Sequence, residues 1–438
     1  MADTFETLDD PAQPAAPEAP ATPERLETRE TAATPETPAT PETPATPEQA
    51  TAACFATWDR FCAELADLGR TIRAGDHPDP ADGLRHLTRV AIHALQSTVE
   101  HGDPAFPTFH RFDDDVVKWG GPNVDNVYLR ARVDADHGYR VTGNLAGVRN
   151  LIVSVVEGDM QMEQYGVFAE CDIDALDVAE DGSFELVVAA VRPGEHTEPW
   201  LRLDRRARYL SIRVYVCDLD LDRTGEFVIE RIGSAGRFPA PLTPTRLAAR
   251  IAEATVWQRA TMEYWGPFMD TVYERAGGPN RISPPASVPG GAQGIRYGGG
   301  AYELGPDQAL LIETEAPDAD YWSVMLYSRP WFESLDIHNR QNALNGQEAH
   351  VDADGVVRIV VAHTDPGLPN WLDTEGRSAG HVAWRWVRAR TAPTPVAHVV
   401  PFADLDDRVP ADVRRTSRAE RAVSLARRRA HFARRFRR

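Results

Sequence analysis

The stretch LDIHNRQNALNGQ, residues 335–347, gathers Asp336, His338, Asn339, Arg340, Asn342, Asn345 and Gln347 directly behind the apolar run YWSVMLYSRPWF. A guanidinium fork such as that of Arg340 suits a carboxylate, a sulfate or a vicinal diol. Amides that both donate and accept suit a polyhydroxylated ligand. The same residue types also bond their own backbone in Asx-turns, so a well-ordered connection is the competing reading. A second stretch, HTDPGLPNWLDTEGR at 363–377, holds Trp371 on a proline-stiffened loop beside Asn370 and Asp373. Its indole either offers a stacking platform to a sugar or fastens the loop. A third, GGPNVDNVYLRA, sets Asn123 and Asp125 just ahead of a strand. It either caps a Gly-Pro turn or faces the Arg340 loop across a domain boundary. Should the chain be a catalyst, acid–base chemistry by Asp336, Asp365 or Asp373 with His338 nearby, aided by Arg340, is the simplest form. Two carboxylates across a cleft would suit cleavage of a glycosidic bond.

Other chemistries find less support. The sequence contains no GxSxG, no phosphate-binding loop ahead of a helix, no HExxH and no Ca²⁺-loop pattern. His338, His350, His363 and His381, with Asp336 or Asp365, leave a two-histidine, one-carboxylate iron or zinc site open. Their spacings match no metal motif, so no metal and no cofactor are expected. Cys54, Cys62, Cys171 and Cys217 lack CxxC spacing and read as reduced core residues. The net charge of -19 argues against nucleic acid as a partner. That charge is uneven: residues 1–50 hold eleven acids against two bases, and residues 414–438 hold eleven arginines against Glu420 alone. Lys118 is the sole lysine.

The elements that must position these residues follow from periodicity. Residues 1–50, with ATPETPATPETPATPE, cannot bury enough apolar surface to offset their ordering entropy and read as a disordered acidic arm. Phe55, Trp58, Cys62, Leu65 and Leu68 at helical spacing, then Leu84, Leu87, Ala91 and Leu95, predict a helical hairpin within 51–110. From 111 to 240 the period is two, in runs such as NVYLRARVD, NLIVSVVEG and RYLSIRVYV, which predicts an antiparallel β-sandwich. A helix over 243–264 and a Gly/Pro loop make a linking segment, 241–294. A second β-sandwich or jelly roll spans 295–393, where Trp384 and Trp386 share one face of a strand as core. Residues 394–438 read as an Arg-rich tail, either solvated and partly disordered or docked on an anionic membrane surface or an acidic protein. Two turns of the same chemistry, VDADHGYRV and VDADGVVRI, leave domain duplication open beside two unrelated Asp/Gly turns. No window approaches the length of an apolar span and the start lacks a basic-then-apolar leader, so a cytoplasmic location is expected.

The blocks YWSVMLYSRPWFESLDIHNRQNALNGQ, VDADG and HTDPGLPNWLDTEGRSAGHVAWRWVRA, in that order, resemble a bacterial family, domain of unknown function twelve-fourteen. GGPNVDNVYLRARVD resembles the β domain that precedes it in such proteins. The resemblance implies a mainly β, α+β architecture of two sandwich or jelly-roll domains, and no reaction. The function expected is binding of a small polar or glycan-like molecule around Asn339, Arg340, Asn345, Asn370 and Trp371, with Asn123 and Asp125 opposite, and with hydrolase or lyase chemistry at most. A scaffold acting through its two charged ends is the alternative, and a non-haem metal oxygenase the third.

Overall fold

A computed structural model describes residues 46–74, 79–194 and 199–436. Most of the acidic arm (1–45) and residues 75–78 of the expected hairpin lie outside the described residues. Helix α1 (Pro47–Ala74) starts within the segment read as arm, and α2 (Pro80–Leu95) runs on into a π-turn over Gln96–Glu100. Asp79 caps α2 by accepting from the amides of Ala81 at 3.0 Å and Asp82 at 3.2 Å. Pro80 sits at the first helical position, where its missing N–H is no loss. The buried stripe of α1 runs through Phe61, Leu68 and Ile72; Phe55 is 67% and Trp58 46% exposed. The apolar spacing fits two adjacent faces, and packing selects the one through Phe61.

The first β domain contains β1 (His110–Asp113), β2 (Asn126–Arg132), β3 (Tyr139–Asn144), β4 (Asn150–Val156), β5 (Val167–Asp172), β6 (Ser183–Ala189), β7 (Trp200–Arg202), β8 (Tyr209–Tyr215) and β9 (Glu226–Arg231). They make two sheets, β1-β2-β8-β4-β5 and β7-β6-β3-β9, closed over a core of Val141, Leu151, Val153, Leu186, Leu210 and Ile212. Helix α3 (Pro244–Ala276) follows, capped by the Thr243 side chain and ended by Gly277 in the left-handed region. It passes through Pro267 and runs beyond the expected stop at 264, because burying Trp265 and Met269 outweighs the lost hydrogen bond.

The second β domain contains β10 (Ile295–Glu303), β11 (Gln308–Glu315), β12 (Tyr321–Tyr327), β13 (Ala343–Asn345), β14 (Val356–Ala362), β15 (Trp371–Asp373), β16 (Ala379–Val387) and β17 (Val396–Pro401). Its sheets are β10-β16-β12-β13 and β15-β14-β11-β17. Trp384 and Trp386 lie fully buried between them, with Trp322 stacked on Trp384 at 5.9 Å. Shifting every strand number of the first domain by eight, β1 aside, reproduces this order, including the one parallel pair, β6–β7 against β14–β15. The two domains therefore repeat one topology. The turns that hinted at duplication do not correspond, however. VDADHG joins β2 to β3, whereas VDADG joins β13 to β14.

The reading of 394–438 as a tail needs correction. Strand β17 pairs with β11, an edge position where flanking prolines are tolerated. Helix α4 (Arg418–Arg435), opened by a Ser417/Glu420 capping box, packs Phe432 and Phe436 into the core formed by α1, α3 and the outer faces of both β domains. Its buried arginines find acceptors, as buried guanidinium groups must. Arg421 reaches Gln341 Oε1 at 2.7 Å and Asp365 at 3.0 Å, and Arg428 reaches the Ala343 carbonyl at 3.1 Å.

Two outcomes follow. Phe432→Ala should lower the urea-derived stability by about 3–5 kcal/mol, whereas a solvated tail would lose nothing. Burial depresses His93 and His381 to about 3 and His431 to about 4, from 6.5. Below pH 6.5 the unfolded chain therefore takes up protons that the folded chain refuses, and stability falls as pH drops toward those values. Neither ring nitrogen of His381 has a hydrogen-bond partner among the described residues. His381→Phe should remove one proton's share of that slope, about 1.4 kcal/mol per pH unit, from urea titrations between pH 6.5 and 4.

Candidate functional site

The segment Gly120–Asn126, which leads from β1 into the first residue of β2, is held by three distant parts of the chain. Gly120 and Gly121 have φ of 65° and 64°, and a Cβ on Gly121 would lie 2.1 Å from the Phe332 ring. The Gly121 amide donates to Phe332 O at 2.7 Å. Its carbonyl accepts from Arg385 of β16, and the Pro122 carbonyl from the Tyr327 hydroxyl at 2.9 Å. Arg435 of α4 donates to the carbonyls of Val124, at 2.8 Å, and Asn126. Asp125 accepts from Asn345 Nδ2 at 3.0 Å, and the Tyr321 hydroxyl lies 2.8 Å from Asp125 Oδ2 and 3.1 Å from Asn123 Oδ1.

The polar residues singled out from sequence are thus bound to their own chain. Asn345, Asp125 and Asn123 meet at the junction of the β domains. Arg340 pairs with Asp373 at 2.8 Å, and Asn339 donates to Asp336 at 2.8 Å. Asn370 accepts from the His350 amide at 2.8 Å and donates to the carbonyls of His350 and Arg358, fastening its loop. Trp371 donates to Ala362 O at 3.0 Å, and its ring lies under the Arg421 guanidinium at 5.3 Å. Asp365 pairs with Arg421, and His338 Nε2 lies 3.4 Å from Asp115. Among the described residues no three His, Cys, Asp or Glu side chains gather as a metal-binding group.

None of these residues lines a cavity of about 220 Å³ that lies between the outer faces of sheets β1-β2-β8-β4-β5 and β10-β16-β12-β13, beside α3. Equivalent strands supply its walls. Tyr128 of β2 stands across from Arg213 of β8, and Tyr297 of β10 across from Arg385 of β16. Each tyrosine is two residues into its strand and each arginine two residues from the end of its own. The correspondence extends to Ser211 and Ala383, and to Arg130 and Gly299. Rings of Phe112, Trp119, Trp265 and Phe332 close the apolar side.

The electrostatics divide by residue. Arg130 is compensated: it grips Asp159 at 2.7 and 3.1 Å and lies between the rings of Phe112 and Tyr209. Burial alone would raise Asp159, but Arg130 outweighs it and holds that carboxyl below the usual range. Asp113 receives one long hydrogen bond, from the Trp119 amide at 3.3 Å, and burial pushes its carboxyl well above that range. Sequence reasoning missed this set, although a signal exists. In RYLSIRVYV and VAWRWVRA the arginines alternate with apolar residues on strands whose two faces are both buried, so each polar phase faces packed protein rather than solvent.

Fold and cavity together define a two-domain β protein built on a repeated eight-stranded sandwich. Residues 301–390 match the family model described as "Protein of unknown function (DUF1214)". A crystal structure of an uncharacterized protein from Burkholderia cenocepacia is similar at 33% identity and a TM-score of 0.74, over 81% of this chain and 99% of that one. A Vibrio parahaemolyticus protein is similar at 12% identity and a TM-score of 0.42, over 77% and 99% of the two chains. No curated protein matches. The chain belongs to the DUF1214 family.

Replacing Asn345 with Ala should cost about 1–3 kcal/mol in urea unfolding, since it strips buried partners from Asp125 and from the Gln347 and Glu348 amides. Asn339→Ala, exposed and bonded only within its turn, should change stability by less than about 0.5 kcal/mol.

Proposed function

We propose that this protein binds a small organic molecule in the cavity between its two β domains. The observation that carries the reading is the wall itself: four equivalent positions from each repeat converge on one space, flanked by aromatic rings. Pockets that take small molecules combine an apolar lining with a few placed polar groups, and they favour domain junctions. The ligand expected at the Arg340 loop moves here because the polar groups of that loop already have protein partners, whereas the cavity keeps volume and donors. The scaffold alternative draws less support, since the basic segment uses Phe432, Arg421, Arg428 and Arg435 within the fold.

Thermal shift of the full chain against organic acids, amides, alcohols, sugars and nucleotides tests the reading. A ligand at a hundred times its Kd adds about 2.7 kcal/mol and raises the midpoint. Ala383→Phe, which fills the cavity from β16, should abolish the shift, and Arg340→Ala should leave it intact. A shift that survives Ala383→Phe and disappears in Arg340→Ala would return the site to the loop.

A further inference from the structure

Two donors on the cavity's polar wall, Arg213 and Arg385, lack a counter-ion among the described residues. Arg213 makes one hydrogen bond among the described residues, at 3.4 Å to Ser154 Oγ, and Ser154 itself donates to Glu170 at 2.7 Å. Arg385 bonds only neutral acceptors: the Tyr327 hydroxyl at 2.7 Å, the Gly121 carbonyl and, at 3.7 Å, the Met325 sulfur. Among the described residues neither guanidinium has a carboxylate within ion-pair distance. Arg130, on the same wall, shows what compensation looks like, with Asp159 clasped in two-point contact.

The tyrosines extend the pattern. Tyr128 already accepts from the Asn123 amide at 2.8 Å, so its own O–H can serve only as a donor. The Tyr297 hydroxyl has no hydrogen-bond partner among the described residues, and Arg275 stands exposed at the rim. The one carboxyl on this wall without a cationic partner in contact, Asp113, has its charged form disfavoured by burial. Arg385 is buried and Arg213 half-buried; a cation withdrawn from water is costly unless paired, and a planar guanidinium matches a carboxylate in two-point geometry. The apolar rings of Trp119, Trp265 and Phe332 line the same cavity.

Resting on the cavity reading above, we propose that the ligand is an amphipathic organic anion, an aromatic carboxylic acid of about one ring, whose carboxylate lies between Arg213 of the first repeat and Arg385 of the second. Each repeat contributes one arginine and its cross-strand tyrosine, and the ring of the ligand enters the aromatic side. Neither domain alone holds both guanidinium groups, so the site exists only where the two repeats meet.

Calorimetry on the full chain decides the matter with two matched series: benzoate, phenylacetate and cinnamate against benzamide, phenylacetamide and cinnamamide. At least one acid should bind tenfold or more tightly than its amide. Arg213→Gln should lower acid affinity at least tenfold while leaving amide affinity unchanged. Arg385→Gln should do the same, but Arg385 also holds the Gly121 carbonyl and its variant is the one prone to misfold. Arg213, with its single long bond, keeps the test decisive. Equal affinity for acid and amide, or an Arg213→Gln variant that binds acids as wild type does, overturns the anion assignment and leaves the cavity reading to stand on its Ala383→Phe test. Absence of binding by every acid also overturns it, and a hit elsewhere in the broader panel would then identify a different ligand for the same cavity.

Discussion

Buried backbone carbonyls must find donors, and seven consecutive residues, Gly120–Asn126, present four of them to side chains, three ahead of β2 and one at its first residue. The architecture is arranged around meeting that demand. Arg385 and Tyr327 arrive from the second β domain, and Arg435 arrives from the C-terminal helix. Asn345 and Tyr321 complete the side-chain half at Asp125. Each of these groups would be an expensive burial on its own, and each is made tolerable by the same loop. The docking of the two β domains and of α4 is therefore one cooperative arrangement, in which removing a single partner leaves several groups unsatisfied.

Much of the architecture was legible. Two-residue periodicity located both sandwiches, helical spacing located the hairpin, and Trp384 with Trp386 were read as core, where both lie fully buried. The polar residues were harder. A dense run of Asn, Asp and Arg looks alike whether it awaits a ligand or satisfies itself, and only three-dimensional placement separates the two. Asn345 illustrates the problem, since its acceptors are Asp125 and the Cys217 carbonyl, 220 and 128 residues away. The C-terminal segment misled for a related reason. Composition weighs eleven arginines as charge, whereas the fold uses Arg421, Arg428 and Arg435 as multi-donor cross-links whose stems and forks are buried.

Repetition of the sandwich explains why the cavity has the walls it has. Two copies of one sheet, facing each other through their outer surfaces, bring identical strand positions together, so a side-chain pair placed once is placed twice. The copies then diverge: Arg130 in one corresponds to Gly299 in the other, and Ser211 to Ala383. The first copy thus carries the compensated ion pair, while the second leaves room. Hints of duplication in the turn chemistry pointed to connections that do not correspond, because Asp/Gly turns recur wherever a chain must reverse. Strand order and register are the better record.

The attachment of Arg435 to the Val124 carbonyl, 311 residues upstream, also bears on synthesis. At ribosomal rates of about 5–20 residues per second, roughly 15–60 s separate the emergence of the loop from that of the helix that completes it. During that interval the first sandwich can close its own core, but its Gly-Gly-Pro loop still lacks the donors of β16 and α4. The nascent chain thus passes through a stage in which a folded domain displays an unfinished wall, a surface for which a chaperone would be a natural temporary companion.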